Sequence, residues 1–572
     1  MKIRGSKLVV QALLDEGVRH VFGIPGTHNL ELYDAMADAT ALEPVLVTHE
    51  LSASFMADGL ARTSGRVGVV NVVPGAGVSH CLSGVAEAFM DGVPMVVLAC
   101  GIRTDTGHAY QLHAVDQLAM LAPVTKGVFR VERAVDIYRT VRRAFQLARQ
   151  GAPGPVAVEI PANLYMLVAD VEEVSFTPEP EPPRLPDREL VERAARMLSE
   201  AARPALYLGW GAAGAADLLA PLAEQLAAPV VTTFQGKGVF PEDHPLFLWN
   251  GFGAQAPPFV RRAMARCDCL LAIGCRFGEL ATGSYGIAPP QRLIHVDIAP
   301  EVFNRNFQAA LAIEADGRAF VVALANVIRG ARPWRPLGEE IADGHRAVRD
   351  RWHRKASANR VTPVRLFEAL QRHCSRDAVY ATDSGNGTFL AIEQLRLSGG
   401  PGCFIAPIDY SCMGYAVPAA IGASLANPGR DVVALPGDGA FLMTGLELLT
   451  AASRGASPLV CVLRDGALSQ IAQFQKIPYN RQPCSELPEF SLEGIAAAIR
   501  VPFYRIIRDH ELDPVIRGAV EITRSGRPVL VEVAIDYSEK TYFTRGVVRT
   551  NLRRLPGGDR LRMIGRALAR RL

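Results

Sequence analysis

Two aspartates that follow neighbouring predicted strands have the spacing that most clearly indicates chemistry. Asp438 lies in a Gly-Asp-Gly triplet after the apolar run Val432–Leu435, and Asp465 follows the run at 459–463. The stretch between them has helical spacing, so the segment predicts one β-α-β unit with both aspartates at one edge of a parallel sheet. Two carboxylates that leave other coordination positions of the metal free suit Mg²⁺ bound to a phosphorylated ligand. Two unrelated loop aspartates that cap helices are the alternative.

The spacing resembles a known coenzyme-binding signature. A Gly-Asp-Gly triplet, 24 further residues and then a polar pair is similar to the thiamine-diphosphate-binding motif. That motif usually ends in two asparagines, whereas this chain has Arg464 and Asp465, so the second metal ligand would be a carboxylate. The resemblance implies coenzyme contacts at Gly437, Asp438, Gly439 and Ala440, and Mg²⁺ ligands from Asp438, Asp465 and the carbonyl of Ala467.

Most of the chain resembles the acetolactate synthase-like group of thiamine-diphosphate enzymes, which also contains benzaldehyde lyases and 2-oxo acid decarboxylases. The resemblance is carried by VFGIPG at 21–26, THE at 48–50 with FMADGLAR at 55–62, GPVAVEIP at 154–161 and MGYAVPAAIG at 413–422. It implies that Glu50 contacts N1′ of the coenzyme's pyrimidine. A carboxylate that shares a proton with N1′ favours the imino tautomer, whose nitrogen removes the proton from thiazolium C2. The alternative is an exposed glutamate in the first turn of a helix.

The same resemblance implies further site residues. Coenzyme contacts are expected at Gly26, Gly385, Asn386 and Ser411. Met413 would be the apolar support that bends the coenzyme, although core filling predicts the same residue type. His28, Gln111 and His113 fall where family members present side chains to the substrate, and imidazole can move protons near neutral pH. Histidines in turns or helix caps are the alternative, and His80 has no matching position in the family.

The elements that must position these residues are strands and helices in alternation. Short Val/Ile/Leu runs bounded by Gly or Pro alternate with stretches of helical spacing, which predicts parallel strands connected by helices. We therefore predict three doubly wound parallel-sheet α/β domains: pyrimidine-binding (1–176), middle (187–330) and diphosphate-binding (355–545), followed by a basic tail (546–572). The predicted strands are at 18–23, 44–49, 67–73, 94–99 and 155–160; 204–209, 229–233, 269–273 and 293–298; and 378–382, 432–435, 459–463 and 529–534.

Proline-rich stretches at 177–186 and 332–336 are predicted to be linkers between these domains. In the tail, an apolar stripe of Leu561, Ile564, Leu568 and Leu572 predicts a terminal helix that docks on the body with its basic face in solvent. Binding of the basic tail to a membrane or a polyanion is the alternative.

Composition limits the classes of function. The chain has 572 residues, of which 49% are hydrophobic, and this excludes a disordered protein. Its 61 Lys and Arg nearly balance 58 Asp and Glu, so nucleic acid is an unlikely partner. Ten cysteines without a CxxC pair, an N-terminus without a signal peptide and apolar runs of strand length indicate a cytoplasmic protein without a membrane span.

Two departures from the acetolactate synthases indicate a different specificity. Those enzymes carry an arginine that binds the second oxo acid, four residues beyond the one matching Arg276; this chain has Leu280 there. They usually have Trp where this chain has Phe474.

A GxGxxG pattern at 209–214 follows a predicted strand, which is a feature of dinucleotide-binding domains. No acidic residue follows the next predicted strand, 229–233, to bind a ribose, so a nicotinamide dehydrogenase is disfavoured. FAD binding by the middle domain stays a possibility.

The resemblance implies a lyase or transferase that uses thiamine diphosphate and Mg²⁺. It would be a decarboxylase or carboligase of a 2-oxo acid that cleaves a C–C bond and forms an enamine. The alternatives are a 2-hydroxy ketone or 2-hydroxyacyl lyase of the benzaldehyde lyase type, a flavin-linked oxidoreductase, and a non-catalytic homologue that binds the coenzyme. Because the family's coenzymes lie between the first domain of one subunit and the third of another, a homodimer or homotetramer is implied.

Overall fold

The computed structural model describes residues 2–171, 174–178, 184–328 and 337–570. In these ranges the strands form three parallel sheets of six strands each, with helices on their faces, and one small antiparallel pair. The predicted fold class, three α/β units, is confirmed.

The first sheet has the strand order β3-β2-β4-β5-β7-β6, and β1 pairs antiparallel with β8. The strands are Lys2–Arg4 (β1), His20–Gly23 (β2), Glu43–Leu46 (β3), Gly68–Val72 (β4), Met95–Gly101 (β5), Gly127–Arg130 (β6), Pro155–Pro161 (β7) and Val168–Asp170 (β8). The helices are Gly5–Asp15 (α1), Leu30–Ala37 (α2), Glu50–Ser64 (α3), Ala76–Asp91 (α4), Gln117–Leu121 (α5), Ile137–Arg149 (α6) and Ala162–Met166 (α7).

The middle sheet has the order β11-β10-β9-β12-β13-β14. Its strands are Pro204–Leu208 (β9), Val230–Thr232 (β10), Phe247–Asn250 (β11), Cys269–Ile273 (β12), Arg292–Asp297 (β13) and Leu311–Glu314 (β14). The helices of this part of the chain are Arg188–Glu200 (α8), Ala216–Leu226 (α9), Pro258–Ala265 (α10), Gly317–Val327 (α11) and Leu337–His353 (α12).

The third sheet has the order β16-β15-β17-β18-β20-β19. Its strands are Val379–Thr382 (β15), Phe404–Ile405 (β16), Val432–Leu435 (β17), Leu459–Arg464 (β18), Phe503–Ile506 (β19) and Val529–Ala534 (β20). The helices are Pro363–His373 (α13), Asn386–Gln394 (α14), Ala416–Ala426 (α15), Asp438–Thr444 (α16), Leu448–Arg454 (α17), Ser469–Tyr479 (α18), Leu492–Ala498 (α19), Leu512–Arg524 (α20), Tyr542–Arg554 (α21) and Gly557–Ala569 (α22).

Each predicted strand is present, with ends that shift by a few residues. The pattern missed β6, β11, β14, β16 and β19, each of which lies at the edge of its sheet, and the small pair β1 and β8. Edge strands cover less of the core, and β6, β14 and β19 are partly exposed, so they lack the unbroken apolar runs of central parallel strands.

The structure tests part of what the sequence predicts for the two linkers and for the C-terminal segment. Residues 179–183 of the first predicted linker and all of the second, 332–336, lie outside the described residues. The predicted boundary between 545 and 546 falls inside α21. The terminal helix is present as α22, but Leu561 and Leu568 of its predicted docking stripe are 72% and 53% exposed, so that expectation is wrong for these two residues. Leu572 and the side chain of Ile564 lie outside the described part of the chain.

Arginines, rather than the leucine stripe, attach α22 to the body. The Arg570 guanidinium donates to the carbonyl of Tyr479, and Arg566 lies over the Tyr479 ring at 5.1 Å from its centroid. The side of α22 that contacts the body therefore carries arginines of its basic face. None of the helices in the described ranges combines the length and apolar character that a bilayer span requires.

The first and third domains meet through α3 and α15, which pack with their backbones in contact. A Cβ at Gly59 would lie 2.1 Å from the carbonyl oxygen of Ala419, and one at Gly422 would lie 2.0 Å from that of Met56. Any side chain at either glycine would force the helices apart, since a clash with backbone cannot be relieved by a rotamer change. Glycine is therefore required at both positions.

A buried guanidinium joins the domains next to this helix pair. Arg62, at the end of α3, donates to Asp58 (Nε to Oδ1, 2.6 Å) and to Asp91 (Nη2 to Oδ2, 2.7 Å). The hydroxyl of Tyr415 also donates to Asp58, and the backbone N–H of Asp409 donates to Asp91. The single cation thus compensates two buried carboxylates that the third domain also contacts.

We expect Arg62→Gln to lower the free energy of unfolding by about 3–5 kcal/mol, because it leaves two carboxylates buried without their cation. Arg133→Gln is the matched control, because Arg133 pairs with Asp136 at the surface and should cost at most about 1 kcal/mol. Urea titrations followed by circular dichroism measure both. Equal losses in the two variants would contradict the role of the buried network.

Candidate active site

A cleft opens at the carboxyl ends of β15, β17 and β18. The chain places β16 on one side of β15 and β17 on the other, and such a switch point is where open α/β sheets bind ligands. The cleft brings together most of the predicted coenzyme and metal residues of this domain. Its lining includes Asp383, Ser384, Gly385, Asn386, Met413, Gly437, Asp438, Gly439, Ala440, Asp465, Ala467, Ser469, Gln470 and Tyr537.

Asp438, the first residue of α16, is buried and contacts the turn that follows β18. Its Oδ2 accepts the backbone N–H groups of Asp465 (3.1 Å) and Gly466 (2.7 Å), and its Oδ1 accepts that of Gly439 (2.9 Å). The two aspartates therefore lie together at one sheet edge, as the β-α-β pattern predicts.

The environment of Asp465 favours a nearby cation. Burial raises the pKa of Asp465 to about 6; the Ser469 hydroxyl, which donates to it, opposes the shift, and the charge of Asp438 adds to it. In the described ranges, no three His, Cys, Asp or Glu side chains form a metal-binding group. A cation here would take two carboxylates, with the remaining ligands from carbonyl, water or phosphate oxygens, which is the usual environment of Mg²⁺.

Asp383, which the sequence analysis missed, holds the loop that presents Met413. Its carboxylate accepts the backbone N–H groups of Ser384, Gly414 and Ala416 at 2.8–2.9 Å. Burial raises the pKa of Asp383 to about 6, although these hydrogen bonds oppose the shift. Its position directly after the predicted strand at 378–382 was the signal that could have identified it.

The same loop is fixed from two other sides. Glu87 of α4 accepts the backbone N–H of Cys412 at 3.0 Å. Ser411, a predicted coenzyme contact with a φ of +65°, lies just outside the cleft lining, and its hydroxyl is 2.8 Å from that of Ser384. The loop therefore has its conformation set by both the first and the third domain.

A second cluster lies at the carboxyl ends of β2, β3 and β4. Glu50 begins α3 and is buried, so the alternative of an exposed first-turn glutamate is wrong. Its Oε2 is 3.0 Å from Nδ1 of His80, the histidine that the sequence comparison did not favour. His49 caps the helix, because its Nδ1 accepts the N–H of Leu51, and its ring lies 4.8 Å from that of His80.

His28 and His113 meet in this domain, with ring centroids 5.4 Å apart in an edge-on arrangement. Burial, and to a lesser extent His113, lowers the pKa of His28. Gln111 is half-buried, and its side-chain amide donates to the carbonyl of Arg103. Gly26 approaches Val73 so closely that a Cβ would lie 2.5 Å from its Cγ1.

The two clusters do not share a cleft within one chain. The described residues that line the cleft at β15, β17 and β18 all come from the third domain. Glu50, His28, Gln111, His113 and Gly26 lie outside it. The catalytic and binding roles assigned to these residues stay predictions.

Glu447 connects the third domain to the start of α3, and no sequence motif marked it. Its side chain is fully buried, and its Oε1 accepts the N–H of Thr48 (2.9 Å), the hydroxyl of Thr48 (2.5 Å) and the N–H of His49 (3.2 Å). Its Oε2 accepts the hydroxyl of Thr450 (2.8 Å). Glu447 thus fixes the two residues that precede Glu50.

An apolar chamber of about 350 Å³ adjoins the cleft and shares Gln470 with it. The chamber lies between the loop that begins at Glu279, helix α18 and the two C-terminal helices. It contains both residues that depart from the acetolactate synthases, Leu280 and Phe474. The rest of its lining is Glu279, Ser284, Phe389, Gln470, Phe543, Val547, Val548, Asn551, Leu552, Leu555 and Met563.

A cavity of about 330 Å³ lies at the switch point between β9 and β12 of the middle sheet, and residues of the first and third domains also line it. Gly211 of the GxGxxG pattern, Gly274, Arg276 and Asp297 line it. The guanidinium of Arg276 is 3.3 Å from Asp409, which also lines the cavity, so this cation already faces a carboxylate. FAD binding there stays a prediction.

Comparisons with known proteins cover nearly the whole chain. Residues 3–120 match the family described as thiamine pyrophosphate enzyme, N-terminal TPP binding domain. Residues 191–324 match the central domain, and residues 383–533 match the C-terminal TPP binding domain, of the same enzymes.

Several relatives align over almost their full length. The chain is 30% identical to the probable acetolactate synthase large subunit of Methanocaldococcus jannaschii, over 94% of this chain and 93% of that protein. It is 31% identical to the acetolactate synthase isozyme 3 large subunit of Escherichia coli, over 94% and 96%. It is also 31% identical to the acetolactate synthase large subunit of Corynebacterium glutamicum, over 93% and 87%.

We expect Glu447→Ala to lower the free energy of unfolding by about 2–4 kcal/mol, because four donors lose a charged acceptor in a buried site. Glu192→Ala, which removes only an exposed pair with Arg188, serves as the control and should change it by less than about 1 kcal/mol. Chemical denaturation measures both losses. A Glu447 variant as stable as the control would show that the turn before Glu50 does not depend on it.

Proposed function

Because this chain belongs to the thiamine pyrophosphate enzyme family, we propose that it is a thiamine-diphosphate- and Mg²⁺-dependent decarboxylase or carboligase of the acetolactate synthase type. It would act on a 2-oxo acid and break or form the C–C bond at the carbonyl carbon. The observation that carries the proposal is the pair of the buried Asp438 and the half-buried Asp465, which lie together at the switch point of a sheet that matches a TPP binding domain.

The cleft fits a diphosphate with a divalent cation. A Cβ at Gly437 would meet no atom within 4 Å, and Gly385 adopts a φ of +145°, so the backbone is open on the side where phosphate oxygens would lie. Asp438, Asp465 and the carbonyl of Ala467 would bind Mg²⁺, whose charge would offset that of the diphosphate. The thioether of Met413 would provide the apolar surface beneath the rings.

When bound, thiamine diphosphate supplies a carbon nucleophile for the substrate carbonyl. Glu50 would hold a proton at the pyrimidine N1′. The contact of its Oε2 with Nδ1 of His80, at 3.0 Å, keeps the side chain in one orientation. His28 and His113 would hold or move protons at the substrate oxygen, since burial keeps His28 available in its neutral form.

We propose that the site is completed by a second copy of the chain. Leu442, Met443, Leu446 and Leu449, on and between α16 and α17, are each exposed by 44–58% directly beside the cleft. A contiguous apolar patch of this kind indicates a covered surface in the assembled protein. A homodimer, or a tetramer of such dimers, would bring Glu50 of the partner subunit to Asp438.

The apolar chamber supports a substrate with an apolar group. Leu280 and Phe474 give its wall no cation that could bind the carboxylate of a second 2-oxo acid. An acceptor aldehyde, or a 2-oxo acid with an alkyl or aromatic side chain, would bury that group against Phe389, Phe543 and Val547. The same chamber would suit the cleavage of an apolar 2-hydroxy ketone, which is the second candidate function.

We expect Glu50→Gln to lower the rate of CO₂ release from 2-oxo acids at least about 100-fold, because the neutral amide cannot exchange a proton with the pyrimidine. Binding of thiamine diphosphate should persist in this variant and be lost in Asp465→Ala. Calorimetry with Mg²⁺ present and a coupled CO₂ assay separate the two effects. Full activity of the Glu50 variant, or unchanged coenzyme binding by the Asp465 variant, would contradict the proposal.

We expect Leu280→Arg to shift acceptor preference from aldehydes towards 2-oxo acids by about tenfold in kcat/KM, because a guanidinium would bind the acceptor carboxylate. Leu280→Met keeps the chamber apolar and is the control. Acyloin and acetolactate-type products are quantified with competing acceptors. A shift of the same size in both variants would mean that shape, not charge, sets the preference.

A further inference from the structure

A cationic cavity of about 520 Å³ lies between the first and third domains, at the edge of the sheets opposite to the cleft. His20 and Glu43 begin β2 and β3, and Asp431 directly precedes β17, so the cavity is at the amino ends of the strands. The cleft with Asp438 is at the carboxyl ends. The two sites are therefore separated by the length of the strands.

Five arginines line this cavity, against two carboxylates. They are Arg19 and Arg66 from the first domain and Arg430, Arg454 and Arg524 from the third. Both carboxylates already have partners: Glu43 pairs with Arg454 across the domain boundary at 3.1 Å, and Asp431 accepts two hydrogen bonds from Arg524 at 2.7 and 3.0 Å. The cavity has a net excess of three positive charges.

The three other arginines have no carboxylate partner among the described residues that line the cavity. Arg66 donates only to neutral oxygens, the carbonyl of Ala426 (3.1 Å) and the hydroxyl of Ser64 (3.3 Å). Arg430 donates to the carbonyl of Asp377, whose carboxylate is 3.8 Å away. Arg19 forms no ion pair or side-chain hydrogen bond with any residue that the structure describes.

Two further observations favour an anion-binding site. Burial, together with the like charge of Arg19, lowers the pKa of Arg66, so the two guanidinium groups are close enough to repel each other. Nδ1 of His20, at the wall of the cavity, is buried without a hydrogen-bond partner among the described residues. Guanidinium groups that converge on one cavity, in excess over its carboxylates, are the arrangement that recognises phosphate.

We propose that this cavity binds a small phosphate-containing polyanion, such as a diphosphate group, between Arg19, Arg66 and Arg430. A guanidinium presents paired N–H donors that match phosphate oxygens, and three of them would neutralise the charge of a diphosphate. The cavity volume falls in the range of about 300–1,000 Å³ that small-molecule sites occupy.

Such a ligand would clamp the domains that carry the two halves of the coenzyme site. Helix α3 runs from Glu50 towards Arg66, and α15 runs from the Met413 loop to Ala426 at the cavity wall. These helices pack backbone to backbone at Gly59 and Gly422. An anion bound across Arg19, Arg66 and Arg430 would strengthen this junction, so the folded protein would gain stability in proportion to its occupancy.

The test is calorimetric titration of the full chain with inorganic pyrophosphate, with thiamine diphosphate and Mg²⁺ saturating so that the catalytic cleft is filled. We expect one saturable site per chain, and at least tenfold weaker binding in Arg19→Gln and Arg66→Gln. Arg196→Gln, on an exposed face of α8, removes the same charge elsewhere and should leave binding unchanged. A parallel titration with ADP distinguishes a free diphosphate from a nucleotide as the ligand.

Thermal unfolding at matched ionic strength gives a second readout. Pyrophosphate should raise the melting temperature of the parent chain and of Arg196→Gln, but not that of Arg19→Gln. Among the described residues, the Arg19 side chain makes no ion pair or hydrogen bond that its replacement would remove, so Arg19→Gln should fold even if Arg66→Gln does not. The absence of saturable binding by either probe would overturn the proposal. The proposal would also be overturned if Arg196→Gln weakened binding as much as the cavity variants do, or if neither Arg19→Gln nor Arg66→Gln weakened it.

Discussion

Buried carboxylates that accept backbone N–H groups determine how this protein builds its site. Asp383, Asp438 and Glu447 each accept several donors from a turn that belongs to a different element of the fold. Charge-assisted bonds of this kind are stronger than neutral ones, and a buried carboxylate without its donors would be costly. The turns that present Met413, Asp465 and Glu50 are therefore fixed before any ligand binds, which lowers the cost of binding it.

Parallel topology explains why these carboxylates meet. In the third sheet the strands β15, β17 and β18 end at one edge, so residues far apart in the sequence reach one cleft. The first sheet has the same kind of edge, with Glu50, His80 and His28. The contact between α3 and α15, with glycine at each point of closest approach, holds the two sheets together but leaves their reactive edges in separate surfaces of one chain. The proposed site needs both edges and would therefore require two chains, and the exposed leucines of α16 and α17 support that proposal.

The residues that resemble those of the acetolactate synthases and the two residues that differ from them lie in different parts of the molecule. Most of the third-domain residues that would bind the coenzyme line the cleft, whereas Leu280 and Phe474 lie in the adjoining chamber with the C-terminal helices. The proposed sites for the coenzyme and for the substrate's apolar group are therefore neighbours, and Gln470 is the described residue that lines both. The cationic cavity at the opposite sheet edge is separate from both. Its excess positive charge would destabilise the empty protein, and a bound anion would remove that repulsion.

The sequence by itself determined the three α/β units, every central strand, and the proximity of Asp438 to Asp465, because long apolar runs and chain connectivity are local properties. It did not reveal five of the six edge strands, because these have only two to four residues each and, in β6, β14 and β19, are partly exposed. It did not reveal Glu447 or the pairing of Glu50 with His80, since these contacts join residues that only the packing of α3 against its neighbours brings together. The leucine stripe of α22 was misread for the same reason: periodicity identifies an apolar face, but only the tertiary structure decides whether that face finds a partner.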